Sequence, residues 1–188
     1  SGEKIKINRH YLSIIKKFKC PIIKTSYESA ELTKIAINMF LSSSVTLTNK
    51  LAEVSRKIGA NWSQISASLK LDKRIGKFAY LQPGLGLSGG NLERDISTII
   101  KVCDKNKINS SIFKNFFFES KSKRNWINEN IKKIASYKRS KITILGVSYK
   151  KNTNSIKNSP FFNVIKKLNK KNIIAFDPYF KNNSYIVI

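Results

Sequence analysis

Lys34 and Asn38 lie four residues apart in a run, Glu28 to Ile58, that no glycine or proline interrupts. In a helix that spacing puts both side chains on one face. There an ammonium and a carboxamide can together donate hydrogen bonds to an oxyanion that develops as an aldehyde is attacked. The plainer reading is an exposed Lys and Asn on a lysine-rich helix. Further along, Pro83-Gly84-Leu85-Gly86-Leu87-Ser88-Gly89-Gly90 is suited to wrap a sugar or phosphate through backbone N–H groups, because Gly permits positive φ and close approach. Neither feature is specific by itself. Cys20 and Cys103 are far apart, without metal-like spacing, and read as two free buried thiols of a reducing compartment. His10 reads as a surface histidine, and no metal site is expected.

The elements that must position these groups follow from periodicity. Tyr11, Ile14, Ile15 and Phe18 predict a short amphipathic helix over 9–19, and Pro21-Ile22-Ile23 a brief extended run. Ser26 or Ser29 opens the long helix; with Ser26 as N-cap, Glu28 falls in the first turn, where negative charge is favoured, and Gly59 supplies the stop. A helix of about 30 residues must be covered along its length. Ser42-Ser43-Ser44 and Thr46 and Thr48 argue for a second subunit rather than a membrane. Asn61-Trp62 opens a helix to about Leu69, Asp72 to Gly90 is a loop, and Leu92–Cys103 and about Ser110–Tyr137 are helices. Phe116-Phe117-Phe118 and Trp126 read as core or interface.

The pattern changes at Lys138-Arg139-Ser140. Lys141 to Gly146 is a strand, Ser159-Pro160 to Leu168 a helix with Pro in its first turn, and Asn172 to Pro178 a second strand. Strand, loop, helix, strand is a βαβ unit of a parallel sheet. Its strand–glycine junction does not spell Gly-x-Gly-x-x-Gly, and that fingerprint is expected to be absent from the chain.

Composition limits the functional classes. The 188 residues make one domain or one and a fraction, and a 41% apolar share supports a real core. No apolar segment approaches the roughly 18–20 residues that cross a bilayer, and no secretory signal follows the charged start Ser1–Lys6. A cytoplasmic location is expected. The net charge of +25 would attract nucleic acid or anionic membrane. Yet thirty lysines stand against six arginines, scattered in pairs such as Lys16-Lys17, Lys132-Lys133 and Lys166-Lys167, with Asn and Ile also abundant. Compositional drift of a genome explains this as readily as selection for a partner, and dedicated nucleic-acid binders concentrate Arg among aromatics. A solvated surface is the expectation and nucleic acid the rival.

Three segments together resemble the UDP-glucose/GDP-mannose dehydrogenase family. Ser29 to Leu41 is similar to its central helix, with the pattern Glu-x-x-Lys-x-x-x-Asn-x-Phe. Asp72-Lys73-Arg74-Ile75-Gly76 and Pro83 to Asp95 are similar to its substrate loop; Leu145 to Thr153, Ser159-Pro160 and Asp177-Pro178 are similar to the opening of its C-terminal domain. The resemblance covers nearly the whole chain. It implies NAD-dependent oxidation at C6 of a UDP- or GDP-linked sugar, in polysaccharide biosynthesis, by a dimer. By resemblance Lys34 and Asn38 stabilise the oxyanion, while Asp95 assists water activation and holds the lysine. Arg74 reaches across the dimer to the pyrophosphate, a bidentate task that suits a guanidinium. Tyr80, Gly84, Gly86 and Lys150 lie by the substrate, and Lys157 stands where an arginine contacts the NAD pyrophosphate.

The departures matter. The family loop reads Gly-Gly-Ser-Cys-Phe-x-Lys-Asp, and its cysteine is the nucleophile that carries an aldehyde through thiohemiacetal and thioester to an acid. Here that position is Asn91, a carboxamide and no nucleophile; Ser88 and Arg94 replace a glycine and a lysine, and Asn158 a glutamate. The second oxidation is expected to fail. Two readings stay open: altered chemistry on a nucleotide sugar, or a binding or scaffold role without catalysis.

The expected fold is α/β overall, a mostly helical central domain with a long helix followed by an incomplete Rossmann-like βαβ unit. Residues 1–27 resemble the tail of an N-terminal NAD-binding domain whose main part the chain lacks. Residues 28–138 form the dimerising central domain, and 139–188 begin the nucleotide-sugar domain. The chain alone is expected to be inactive.

Overall fold

The computed structural model describes residues 7–135, 141–161, 173–179 and 185–187. The chain forms two compact units, Ser1–Ile37 and Asn38–Ile188. In the first, α1 (Arg9–Lys16) is capped by Asn8, whose side chain accepts the His10 N–H at 2.8 Å. It ends earlier than periodicity predicts, because Lys19 turns left-handed at φ 50°. His10 is exposed, as expected. Cys20 is also exposed, which corrects the expectation of a buried thiol; every described residue from 16 to 33 is exposed, so no apolar cover reaches it.

Helix α2 (Tyr27–Lys57) is 31 residues long, about 46 Å at 1.5 Å per residue. Ser26 caps it, its Oγ accepting the Ser29 N–H at 3.2 Å. At the far end Gly59 takes φ 76° and the Ala60 N–H reaches back to the Ser55 carbonyl at 2.8 Å, the bond of a Schellman stop. After it come α3 (Trp62–Leu71), capped by Asn61, then α4 (Gly90–Lys105) and α5 (Ser111–Ala135). Helix α4 begins two residues earlier than expected, at Gly90, so Asn91 belongs to its first turn. In the aromatic run only Phe116 is fully buried; Phe118 is exposed, and Trp126 is half exposed with Arg56 and Lys123 over its ring at 5.6 and 4.9 Å.

The core of the helical part joins Met39 and Ala52 of α2, Ile96, Ile99 and Cys103 of α4, Phe116 of α5, and Leu87 from the loop. That loop, 72–89, has no ladder to satisfy its backbone, and side chains from three helices do so instead. Thr48 Oγ1 donates to the Tyr80 carbonyl at 2.8 Å and Trp62 Nε1 to the Leu81 carbonyl at 2.9 Å. Asn49 Oδ1 accepts the Gly84 N–H at 2.7 Å, and Ser120 Oγ the Leu87 N–H at 3.0 Å.

The remaining part is a small sheet. Strand β1 (Ile142–Leu145) runs parallel to β2 (Ile173–Phe176), with Ile142 opposite Ile173. The parallel pair agrees with the βαβ reading; the expected helix lies outside the described residues beyond Phe161. A third strand, β3 (Tyr185–Val187), pairs antiparallel with β2. Sequence reading missed it, since three residues are too few to show a period of two. Ile144, Val147, Ile173 and Ala175 form the core here.

Candidate functional site

A cleft of about 580 Å³ opens where the start of α4 meets the segment after β1. One wall is Asn38 and Leu41 of α2, with Tyr80 from the loop; another is Ser88 to Leu92; the third is Tyr149, Lys150, Ser155, Lys157 and Asn158. A neighbouring hollow shares Tyr80, Ser88, Tyr149 and Lys150 with it and adds Gly84 and Gly86. The structure therefore brings Asn38, Asn91, Tyr80, Lys150 and Lys157 to one place from four separate stretches of chain. Among the described residues the cleft wall carries Arg94, Lys150 and Lys157 and no carboxylate, so its field favours an anion.

Asn38 is buried and held from behind, its Nδ2 donating to Asp95 Oδ2 at 2.5 Å. Asp95, one turn into α4 and itself buried, takes a second bond from Arg94 Nε on Oδ1 at 3.0 Å. The carboxylate thus orients the carboxamide, leaving the second Nδ2 proton and the Oδ1 of Asn38 for other partners. Asn91 is exposed on the cleft wall, second residue of α4. The N-cap, Gly89 at φ 78°, contributes no side-chain bond, so the first amides of α4 are not spent on a cap.

Other expected residues sit elsewhere. Lys34 belongs to the first unit, where it is exposed on α2. The Arg74 guanidinium does not line the cleft of its own chain; it grips Asp72 through Nε at 3.0 Å and Nη2 at 2.6 Å and is largely exposed. That grip holds the Asp72 carboxyl below its ordinary value. Gly84 and Gly86 shape the loop: Gly84 donates to Asn49, and Gly86 at φ 92° leaves no room for a Cβ, which would lie 2.7 Å from Ser120 Oγ. Gly84, Gly86 and Gly89 do spell Gly-x-Gly-x-x-Gly ahead of α4, a spacing that sequence reading passed over. No described strand leads into it, so it is not a dinucleotide fingerprint.

Glu93, Arg124, Ser120 and Asn49 were not singled out by sequence. Glu93 accepts from Arg124 Nη2 at 2.8 Å and from Asn158 Nδ2 at 3.0 Å, joining α4 to α5 and to the third wall. Below β2, Asp177 is buried and accepts the N–H groups of Val147, Ser148 and Tyr179 and the Ser148 hydroxyl, at 2.7 to 3.0 Å. Burial pushes its carboxyl up, but those four donors outweigh burial and hold it down at about 2. Among the described residues no His, Cys, Asp and Glu cluster suits a metal, and no helix is long and apolar enough to cross a membrane.

Residues 28–117 match the model for the UDP-glucose/GDP-mannose dehydrogenase family, central domain, and residues 143–187 that for the same family's UDP binding domain. A UDP-glucose 6-dehydrogenase of Rickettsia bellii is 30% identical over 94% of this chain and 43% of its own length; one of Bacillus subtilis is 28% identical over 86% and 35%. The chain thus spans roughly two fifths of these relatives. The fold is that of a UDP-glucose dehydrogenase from Pyrobaculum islandicum, with TM-score 0.77, 21% identity and coverage of 89% of this chain and 39% of that one. Through its central and UDP-binding parts, this chain belongs to the UDP-glucose/GDP-mannose dehydrogenase family.

Proposed function

We propose that this chain supplies the nucleotide-sugar-binding and dimer-forming part of a protein of the NAD-dependent nucleotide-sugar dehydrogenase type, acting at C6 of a UDP- or GDP-linked sugar. The observation that carries this is the cleft itself: an oriented amide on Asn38, an uncapped helix start at Asn91, and Lys150 and Lys157 on the facing wall. Two lysines and free amides suit a diphosphate, and Asn38 suits a developing oxyanion. Lys34, one turn ahead of Asn38 in sequence, is proposed to add its ammonium, and Arg74 to serve the neighbouring subunit. Asn91 forms no covalent adduct, so oxidation through a thioester is excluded at this position. NAD would accept the hydride in such a reaction. By resemblance the Lys157 ammonium would meet its pyrophosphate, but among the described residues the glycine spacing of 84–89 has no strand leading into it. These residues do not constitute a dinucleotide site.

The dimer is proposed on α2. Phe40, Leu47, Leu51, Val54 and Ile58 are all exposed, and with Ser44 they repeat at spacings of four, three, four, three and four. That is the seam spacing of paired helices. A second copy covering it accounts for apolar side chains otherwise left in water.

Calorimetric titration of the chain with UDP-glucose, GDP-mannose, NAD and a DNA duplex tests the reading. Saturable binding of one nucleotide sugar, lost in Lys150→Ala, is expected. Binding of the duplex alone supports the nucleic-acid rival. A tight dimer whose stability ignores every ligand supports a scaffold, the reading that Asn91 favours.

A further inference from the structure

A single carboxylate ties two walls of the cleft to each other and to α5. Glu93 Oε1 accepts from Arg124 Nη2, and the same Nη2 donates to Ser120 Oγ at 2.9 Å, which in turn holds the Leu87 N–H. Glu93 Oε2 accepts from Asn158 on the facing wall. The side chains of Glu93 and Arg124 are only 22% and 21% exposed, so solvent screens the pair less than a surface pair. Arg124 Nε is buried with no partner, so Glu93 and Ser120, rather than full satisfaction of the guanidinium, account for its placement.

The facing wall is seated directly on the start of α4. A Cβ on Gly89 would lie 3.1 Å from the Tyr149 ring; one on Gly90 would lie 3.6 Å from Lys157 Cε and 3.9 Å from Asn158 Nδ2. The glycines permit the approach, and Glu93, one turn along, fastens it. Asn158 holds φ 53°, a left-handed conformation that Asn and Asp adopt more readily than other side chains.

We propose that Glu93 is a positioning residue: through Asn158 it latches the segment 149–158 onto α4 and thereby sets Lys157 for an anionic ligand. The latch follows from the contacts alone; its role in binding rests on the nucleotide-sugar reading.

Three variants of the full chain test it: Glu93→Gln, which removes the charge facing Arg124; Asn158→Asp, which sets two carboxylates against each other; and both together, which restores a donor facing an acceptor. Hydrogen exchange of amides 147–158 is read first. It is expected to rise about tenfold in Asn158→Asp and to return toward wild type in the double variant. Amides of α3, to which none of the hydrogen bonds of Glu93, Arg124 and Asn158 runs, serve as the check that the fold survives. If Glu93→Gln unfolds the chain, Asn158→Asp alone still decides. Unchanged exchange in Asn158→Asp overturns the latch. UDP-glucose affinity is then expected to weaken about tenfold in Asn158→Asp and to recover in the double variant. Looser exchange with unchanged affinity overturns the positioning role. If wild type binds no nucleotide sugar while exchange behaves as stated, the latch stands and the functional reading falls.

Discussion

The helical part and the sheet part solve the same problem, satisfying buried backbone, by opposite means. In the sheet, ladder bonds do it, a small apolar cluster covers them, and the one buried carboxylate, Asp177, is held mainly by backbone N–H groups. In the helical part the loop 72–89 has no ladder, so Thr48, Asn49, Trp62 and Ser120 reach out to hold it, and Asp95 is held by side chains alone. Side chains can be placed where no regular structure reaches. This lets an irregular loop keep a fixed shape at the cleft, and each peg becomes a point where that shape can be lost.

The largest effect is expected where a peg meets the loop with no slack. Gly86→Ala puts a Cβ 2.7 Å from Ser120 Oγ and 3.1 Å from its Cα, at a left-handed φ. A loss of about 3 kcal/mol in urea unfolding is expected; a variant as stable as wild type would show the loop to be slack.

Asp177→Asn probes the other strategy. With its carboxyl held at about 2, against 3.8 ordinarily, the native charge contributes about 2 kcal/mol. Because the folded value is the lower one, that contribution is present above about pH 4 and fades as pH falls toward 2. Unfolding curves of wild type and variant should therefore differ at pH 7 and converge near pH 2. A gap independent of pH would assign the effect to geometry rather than charge.

The smallest effect sharpens the contrast. Asn49→Ala removes a peg whose partner, the Gly84 N–H, lies in an exposed residue and can turn to water. About 1 kcal/mol is expected, with faster hydrogen exchange confined to residues 80–88. A change spread through α2 would mean that Asn49 supports the helix, not the loop.

Much of this was legible in the residues. Ser26 and Gly59 mark the ends of α2 because caps and stops are local chemistry. The strands β1 and β2 follow from apolar runs. The Asn38, Asn91 and Lys150 positions, marked by spacing and resemblance, do meet in one cleft. The misses share a cause. Glu93 and Arg124 read as two charges in a lysine-rich chain, and Asn49 as one more polar residue on a helix; their importance lies in partners 31 to 65 positions away. Cys20 was misjudged because burial belongs to surroundings, not to a residue type.

The sequence by itself determined the long helix with its two ends, the strands β1 and β2, and the absence of a thiol at position 91, since each depends on neighbouring residues alone. Tertiary structure alone decided which amide orients on Asp95, which loop atoms the helices hold, and that one carboxylate joins α4 to α5 and to the segment 149–158. Hydrogen bonds act over about 3 Å in space, and no local pattern reports which distant atoms folding will bring that close.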